Sequence, residues 1–301
     1  MSANLKKFPT AQIFCPIPAQ NRRFRLIRRQ KRRKRPWLPF KPKKVVYWSM
    51  DYCSIPLSLW QRITEILPTE GSPKGGRPCG DLLTFITALL WILKTGAPWR
   101  ALPERFGSWK TVYSRFRRWL ARGYFDAMFS FFTSTESDLE TVMIDGSYVH
   151  VHQHASGARG GSAGQAIGVS RGGKTTKIHA VVDALGNLLK SVITAGNVSD
   201  YREANGLLEG FHDCEVLADK GYDSAPLVEQ LEEQGCTVVI PSRSTRLQPR
   251  PFDRYAYRGR HLIENFFQKV KAYRRVGTRY DKLSEVFGGF VMLAAVFIWL
   301  R

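Results

Sequence analysis

Short apolar runs that end on an acidic residue constrain the fold of the second half of the chain. TVMID (residues 141–145) and CEVLAD (residues 214–219) each carry an aspartate directly after apolar residues. Runs of this length and composition predict buried β-strands, and the helical patterns between them predict helices packed on a sheet. From residue 141 onward the predicted order is β-β-β-α-β-α-β-α, which is an α/β fold with a mixed sheet.

The residues before this sheet predict helices only. Amphipathic or apolar patterns cover Leu57–Leu67, LLTFITALLWILKT after Asp81, and WKTVYSRFRRWLA after a turn at Gly107-Ser108. Two helices joined by a short turn that contains glycine predict a helix-turn-helix arrangement. The outer face of the last helix is basic, as expected of a helix in the major groove of DNA, although a solvated face in a small bundle has the same composition. The residues of this face are Lys110, Ser114, Arg117, Arg118 and Arg122.

The positive charge of the chain is concentrated in its first 49 residues. The net charge is +21, and residues 1–49 hold 15 Lys and Arg and no acidic residue. This excess indicates a polyanionic partner, which is usually nucleic acid. Two interpretations of residues 1–49 remain open: a disordered arm that binds phosphates, or an upstream reading frame ahead of a start at Met50. The expected domains are the basic segment 1–49, a helical DNA-binding domain 50–135 and a catalytic domain 140–301.

Cysteine spacing and hydropathy restrict the compartment. The five cysteines are odd in number and form no CxxC pair, which argues against a disulfide framework and is typical of a reducing cytoplasm. The apolar run at residues 286–300 is shorter than the about 18 residues that a membrane span needs. We therefore expect a buried closing helix there and no membrane partner.

Three carboxylates are the candidate catalytic and metal-binding residues. Asp145 and Asp219 end their apolar runs, and the carboxyl ends of neighbouring strands are where open α/β sheets place their sites. Glu264 lies on a predicted helix that can bring it over the same edge. Carboxylate oxygens suit Mg²⁺ or Mn²⁺, and two such ions can activate a nucleophile and stabilise the leaving oxygen of a phosphodiester. Singly, each acid has the alternative role of a turn residue or a salt-bridge partner.

The helix that carries Glu264 has two distinct sides. Tyr257, Arg260, Glu264 and Lys271 fall on one stripe of a helix with 3.6 residues per turn. We expect this stripe to face Asp145 and Asp219, while the opposite side docks on the sheet. The apolar residues of that opposite side are Leu262, Ile263, Phe266, Phe267 and Val270.

Two of these motifs resemble the signatures of a known enzyme family. DKGYDS (residues 219–224) and Tyr257-x2-Arg260-x3-Glu264-x6-Lys271 are similar to motifs of the DDE transposases of the insertion-sequence-five group, and the resemblance runs from about Trp60 to the end. It implies a ribonuclease-H-like catalytic domain behind a helix-turn-helix domain. It also implies the activity: binding of double-stranded DNA at terminal inverted repeats, metal-dependent hydrolysis at the element ends, and attack of the 3′-OH on target DNA.

The same resemblance implies roles for single residues and an assembly. Asp145, Asp219 and Glu264 match the three metal-binding acids, and Tyr257, Arg260 and Lys271 match the accompanying positions, where the bases contact phosphate near the cut. Two Mg²⁺ or Mn²⁺ ions, a homodimer or larger assembly on paired ends, and a location on the bacterial nucleoid in the cytoplasm are expected with it.

The glycine-rich residues 157–177 and nearby polar residues carry further expectations. Arg159, Arg171, Lys174 and Lys177 suit a loop that folds onto DNA, although an idle connector has the same composition. Within it GVSRGGKT matches the phosphate-binding loop of ATPases, but the alternating residues that follow predict a strand and not the helix such a loop needs. Asp223 precedes a predicted helix and is interpreted as a cap.

Two other functions remain open on these motifs. A DNA-binding regulator would keep the helical domain and lack catalysis, and a metal-dependent nuclease on the same fold would cut DNA without joining it. The presence of all three acids favours catalysis over the regulator.

Overall fold

The computed structural model describes residues 55, 57–67, 80–135, 137–158 and 161–300. Residues 1–49 and Arg159, for which the sequence predicts phosphate contacts, lie outside the described residues. Within the described ranges, no helix combines the length and the apolar character that crossing a membrane would require.

The predicted helical region is confirmed. Its central helix begins at Asp81, whose carboxylate accepts a hydrogen bond from the amide of Thr84 at 2.7 Å, and ends at Gly96 in the left-handed conformation. This helix is buried because its sequence is almost entirely apolar. The helices of the region are α1 (Leu57–Ile66), α2 (Leu82–Thr95), α3 (Trp109–Ala121) and α4 (Tyr124–Thr135).

The connection between α2 and α3 is longer than the short turn expected for a helix-turn-helix pair. It contains two single turns of 3₁₀ helix, at Trp99–Ala101 and Glu104–Phe106, and each follows a proline. Proline cannot continue a helix from the preceding residues, so the segment before Gly107 does not form a full helix. The predicted turn at Gly107-Ser108 is present, since Gly107 has a φ of 82° and α3 begins directly after Ser108.

The sheet has the strand order of the predicted ribonuclease-H-like fold. Its central path runs β4–β3–β1–β5–β6, with β3 antiparallel to β1 and β4, and with β5 and β6 parallel to β1. Strand β2 pairs with the start of β3, and β7 runs parallel to the end of β1. The strands are β1 (Thr141–Val151), β2 (Gly168–Ser170), β3 (Gly173–Val182), β4 (Leu188–Ala195), β5 (Glu215–Leu217), β6 (Thr237–Val239) and β7 (Thr278–Arg279).

Helices cover both faces of this sheet. Successive residues of a strand point to opposite faces. Asp145 of β1 contacts Arg260, which precedes α7, whereas Gly146 faces Asp200 at the start of α5. Helix α5 packs on α6, and α7 packs on α9. The helices are α5 (Asp200–Leu208), α6 (Ala225–Glu233), α7 (His261–Ala272), α8 (Arg274–Gly277) and α9 (Ser284–Trp299).

The closing helix α9 joins the helical region to the sheet. It contacts β4 on one side and both α3 and α4 on the other. The rings of Phe116 and Phe290 lie 4.9 Å apart, and the guanidinium of Arg117 forms an ion pair with Glu285 at 2.6 Å. All described residues accordingly fall in one compact unit, Ser49–Arg301, and the predicted boundary at residues 135–140 falls between α4 and β1.

Candidate active site

Asp145 lies in the middle of β1 and not at its end, which corrects the expectation of a short strand over residues 141–145. The strand continues to Val151 because β3 pairs with it as far as His150. On the other side of β1, β5 pairs only up to Met143 and β7 only from His150. Among the described strands none fills the interval between them, so Asp145 lies at a gap in the sheet that leaves its carboxylate partly accessible.

Asp219 follows β5 and faces this gap from the neighbouring strand, as predicted. Its carboxylate accepts a hydrogen bond from the amide of Gly221 at 2.7 Å, which orients it at the start of the 3₁₀ turn Lys220–Tyr222. A Cβ on Gly221 would lie 2.7 Å from that carboxylate oxygen, so the turn can close this tightly only around glycine.

Glu264 is positioned by the first turn of α7, and Arg260 links it to Asp145. One guanidinium nitrogen of Arg260 lies 2.6 Å from the Oδ2 atom of Asp145, and another lies 3.2 Å from the Oε1 atom of Glu264. The Arg260 side chain is 16% exposed, whereas that of Glu264 is 56% exposed. The arginine therefore holds two of the three candidate acids together.

The docking of α7 follows the two-sided pattern of its sequence. Ile263, Phe266, Phe267 and Val270 are buried, while Leu262 is partly buried. At the other end of the helix the ammonium of Lys271 donates hydrogen bonds to the hydroxyl of Ser147 and to the carbonyl oxygen of Tyr148, both at 2.7 Å. Burial lowers the pKa of Lys271. Arg260 and Lys271 thus fix α7 to β1 at two points within the gap.

The charge balance of the gap favours a cation. Burial raises the pKa of Asp145, and the nearby carboxylate of Asp219 raises it further, while Arg260 opposes both effects. A buried carboxyl beside a second carboxylate is stabilised in its ionised form by a nearby positive charge, which Arg260 supplies here.

Tyr222 is a member of this site that the sequence analysis missed. Its side chain is 1% exposed, and its hydroxyl has no hydrogen-bond partner among the described residues. The pKa of this hydroxyl is raised by burial and then by the carboxylates of Asp200, Asp145 and Asp219. Only the three-dimensional fold brings these three acids around one hydroxyl, since they come from three separate segments of the chain.

Lys177 does not lie on a loop that can fold onto DNA, which corrects its predicted role. It belongs to β3 and is 1% exposed. Its ammonium donates to the carbonyl oxygen of Val198 at 2.7 Å and lies 3.1 Å from the carboxylate of Asp200. A buried ammonium with these partners is unavailable to phosphate. His179, two residues further along β3, lies 3.5 Å from the same carboxylate.

The other predicted DNA contacts lie on the surface. On α3, Lys110, Ser114, Arg118 and Arg122 are exposed, and Arg117 is partly exposed in its ion pair with Glu285. In the β2–β3 hairpin, Arg171 and Lys174 are exposed. Tyr257 is partly buried, with its ring 5.5 Å from that of Phe252.

Asp223 is bound by arginines instead of capping α6. Its side chain is nearly buried and accepts a hydrogen bond from the amide of Arg243 at 2.8 Å. The guanidinium groups of Arg246 and Arg250 form ion pairs with the same carboxylate. Burial acts to raise the pKa of Asp223, but these donors outweigh it and hold the pKa below its usual range. These partners are 20 to 27 residues away in sequence, so no local pattern predicts them.

The donor set suits a hard divalent cation, although the carboxylates are not yet arranged around one. In the described part of the chain, no group of three His, Cys, Asp or Glu side chains is arranged to hold a metal ion. Asp145 and Asp219 interact electrostatically across the gap, and oxygen ligands of this kind are those that Mg²⁺ and Mn²⁺ prefer. Arg260 contacts Oδ2 of Asp145 and Oε1 of Glu264, so a cation at these two atoms would have to displace it.

Comparison with protein families assigns the chain. A family model described as "Transposase DDE domain" matches residues 136–299, which is more than half of the chain. The chain belongs to the DDE transposase family. A second family model, described as "Putative transposase of IS4/5 family", matches residues 56–129. The two matched ranges cover the sheet with its helices and the helical region before it.

Individual relatives carry transposase names. "Putative transposase for insertion sequence element IS6501" of Brucella ovis is 41% identical over 129 residues, which are 42% of this chain and 99% of the relative. "Putative transposase for insertion sequence element IS402" of Burkholderia cepacia is 27% identical over 135 residues, which are 41% of this chain and 62% of the relative.

Solved transposase structures are similar only distantly. The piggyBac transposase synaptic complex with hairpin DNA is 12% identical, with a TM-score of 0.49 over 72% of this chain and 64% of that chain. The catalytic domain of Mos1 mariner transposase is 10% identical, with a TM-score of 0.25 over 52% of this chain and 92% of that chain. The fold assignment therefore rests on the strand order and pairing of this chain.

Proposed function

We propose that this DDE transposase moves an insertion sequence by cutting DNA at the ends of the element and joining the freed 3′-OH to target DNA. The observation that supports this most is the grouping of Asp145 and Asp219 at the gap of the sheet, with Glu264 tied to Asp145 through Arg260. Membership of the family supports the reaction class.

The three acids are the residues that would hold two Mg²⁺ or Mn²⁺ ions. Bound there, such ions supply an activated oxygen nucleophile and stabilise the leaving oxygen of the phosphodiester. Asp145 and Asp219 approach from adjacent strands and Glu264 from a helix, so the ligands come from three directions on rigid elements. The hydrogen bond from Gly221 and the docking of α7 keep Asp219 and Glu264 in place.

Arg260 has a second role in this proposal. If Asp145 and Glu264 bound a metal ion, the guanidinium of Arg260 would lose its carboxylate partners and could bind a DNA phosphate. Lys271 holds Ser147 and the backbone of Tyr148, which keeps β1 in register beside Asp145.

DNA contacts away from the cut are proposed on two surfaces. The exposed face of α3 suits the major groove of the terminal repeats, and Arg171 and Lys174 suit the backbone near the gap. We propose that two or more copies act together on paired ends.

The proposal is tested with a labelled duplex that carries the DNA flanking this coding frame. Wild-type protein is expected to bind it, to cut it only with Mg²⁺ or Mn²⁺, and to form joined products with target DNA. Asp145→Asn, Asp219→Asn and Glu264→Gln should each lower the cutting rate by at least ~100-fold, because each removes an anionic ligand of the proposed metal ions. End binding by these variants should remain close to that of the wild type.

Glu229→Gln is the matched control, since Glu229 is an exposed acid of α6 outside the site. It is expected to cut normally. Cutting without joined products would indicate a nuclease, binding without metal-dependent cutting would indicate a regulator, and full activity in any acid variant would remove that residue from the site.

A further inference from the structure

We infer that residues 241–258, here called the arginine segment, bind the DNA backbone about three base pairs from the bond that the active site cuts. The segment joins β6 to the 3₁₀ turn ahead of α7 and contains five arginines and one acid, Asp253. None of these arginines is among the DNA contacts that the sequence predicts. This inference rests on the proposed function and assigns a new DNA-contacting surface to it. The arginines are Arg243, Arg246, Arg250, Arg254 and Arg258.

The inner side of the segment is clamped to the body of the protein by Asp223. The carboxylate of Asp223 binds the amide of Arg243 and the side chains of Arg246 and Arg250. Because this acid is only 6% exposed, the ion pairs are screened little by water. The segment is therefore held in one position even though it contains no regular helix or strand before residue 256.

The clamp attaches the arginine segment to the active site itself. The guanidinium of Arg243 donates hydrogen bonds to the carbonyl oxygens of Lys220 and Gly221, at 3.1 and 2.5 Å. These carbonyls belong to the 3₁₀ turn that Asp219 starts. DNA that touches the segment is thus placed relative to Asp219.

The outer side of the segment presents cations without protein partners. Arg254 and Arg258 are exposed, and within the described part of the chain their guanidinium groups make no hydrogen bond or ion pair. Tyr255 lies between them in sequence with 81% of its surface exposed. Asp253 accepts hydrogen bonds from the amides of Tyr255 and Ala256, at 2.6 and 3.1 Å, so the backbone that displays the tyrosine is fixed.

The distance to the cut follows from the element that connects them. The 3₁₀ turn Ala256–Arg260 leads from Tyr255 to the arginine that contacts Asp145. At about 2 Å per residue of 3₁₀ helix, Tyr255 lies about 10 Å along the turn from Arg260. Successive base pairs are about 3.4 Å apart, so this span corresponds to roughly three base pairs.

Duplex DNA is the partner that fits these features. Two free guanidinium groups suit phosphates, and an exposed aromatic ring between them suits packing on a sugar or base. A DNA strand that lies in the gap beside Asp145 and Asp219 and runs along the 3₁₀ turn Ala256–Arg260 would pass this surface. An acidic protein partner would share the charge but not the alignment with the gap.

Salt dependence of DNA binding tests the inference. In the full chain, the double variant Arg254→Gln, Arg258→Gln is expected to bind a duplex more weakly. The slope of log K against log[KCl] should also be shallower by roughly 2, because each lost phosphate contact reduces the slope by about 0.9. Arg202→Gln, an exposed arginine on α5, is the control and should leave the slope unchanged. Tyr255→Ala should weaken DNA binding, whereas Tyr255→Phe should bind DNA as the wild type does.

Hydroxyl-radical footprinting locates the contact. Wild-type protein is expected to protect sugars about three base pairs from the cut, and the double variant should lose that protection alone. An unchanged salt slope in a folded double variant, or protection lost elsewhere, would overturn the inference. Failure of the proposed function would give a different result. The wild-type protein would never cut or join DNA, but the slope of log K against log[KCl] would still differ between the wild type and the double variant.

Discussion

The guanidinium of Arg260 lies between two of the candidate metal-binding acids, Asp145 and Glu264. An ion pair with Asp145 and Glu264 neutralises carboxylates that burial and mutual repulsion would otherwise destabilise. A metal ion at Asp145 would compete with Arg260 for the Oδ2 atom that the guanidinium contacts. Under the proposed function, the phosphates of bound DNA would attract Arg260 away from Asp145 and so favour metal binding.

Replacing Arg260 should separate metal binding from activity. Arg260→Gln is expected to bind Mn²⁺ about 10-fold more tightly in calorimetric titration, because one competing ion pair of about 1.4 kcal/mol is removed. The same variant should cut end DNA more slowly. Lys269→Gln removes an exposed charge from the same helix and should change neither quantity. Weaker metal binding in Arg260→Gln would show that the arginine does not compete with the ion.

Gly146 is required by the close approach of Asp200 to β1. A Cβ at this position would lie 2.3 Å from the Oδ1 atom of Asp200 and 3.3 Å from Cδ of Lys177. Gly146→Ala is expected to lower the free energy of unfolding by about 2 kcal/mol in urea titrations, since the buried ion pair must shift. Gly206→Ala on α5, where nothing lies within 4 Å, should be neutral or stabilising. Equal effects at both glycines would contradict this packing account.

At the scale of elements, local patterns predicted most helices and strands but not where they end. The apolar runs at β1 and β5 are visible in the sequence, yet β1 continues past Asp145 because β3 pairs with it, and that pairing joins residues 25 to 39 apart. Lys177 was misassigned for the same reason, since glycines around it suggested a loop while its alternating neighbours extend β3. The binding of Asp223 by Arg246 and Arg250 depends on the folded path of the arginine segment.

The buried His179 on β3 should make stability depend on pH. Burial lowers the pKa of His179 to about 4, against the opposing effect of Asp200. The unfolded chain binds the proton near pH 6.5, so the stability that the neutral ring contributes is complete above that pH and falls as the pH drops towards 4. The loss over this window is up to roughly 3 kcal/mol.

Unfolding titrations of His179→Gln between pH 4 and 7 measure this contribution. The difference in unfolding free energy between wild type and variant is expected to shrink as the pH falls through the window. His150→Gln, at an exposed position of β1, should show the pH dependence of the wild type. A His179→Gln variant with unaltered pH dependence would mean that His179 titrates normally.

At the scale of the whole molecule, α9 makes the helical region and the sheet share a core. Its residues are nearly all apolar, and they pack between β4 and the helices α3 and α4. Gly289 allows the closest contact, because a Cβ there would lie 2.4 Å from Cδ2 of Leu120 and 3.0 Å from Cζ of Phe116. The helical region, whose α3 is proposed to contact DNA, is thereby placed relative to the gap that holds the acids.

Unfolding of this shared core is expected to be cooperative. Gly289→Val should lower the urea midpoint, by about 1–3 kcal/mol in unfolding free energy, because the added methyl groups overpack the junction. Tryptophan fluorescence and far-UV circular dichroism should still change together. Gly288→Ala, whose Cβ would make an ordinary 3.6 Å contact with Ile193, is the control and should not destabilise the protein. Two separate transitions would contradict a common core.

Titration of Mn²⁺ into the full chain, with end DNA bound, tests the central claim most directly. The account predicts two bound ions in the wild type, and at least about 10-fold weaker binding in Asp145→Asn, Asp219→Asn and Glu264→Gln, because each removes a charged ligand. Glu229→Gln, at an exposed position of α6, should bind as the wild type does. Unchanged Mn²⁺ affinity in the three variants would contradict the assignment of these acids as the metal-binding site.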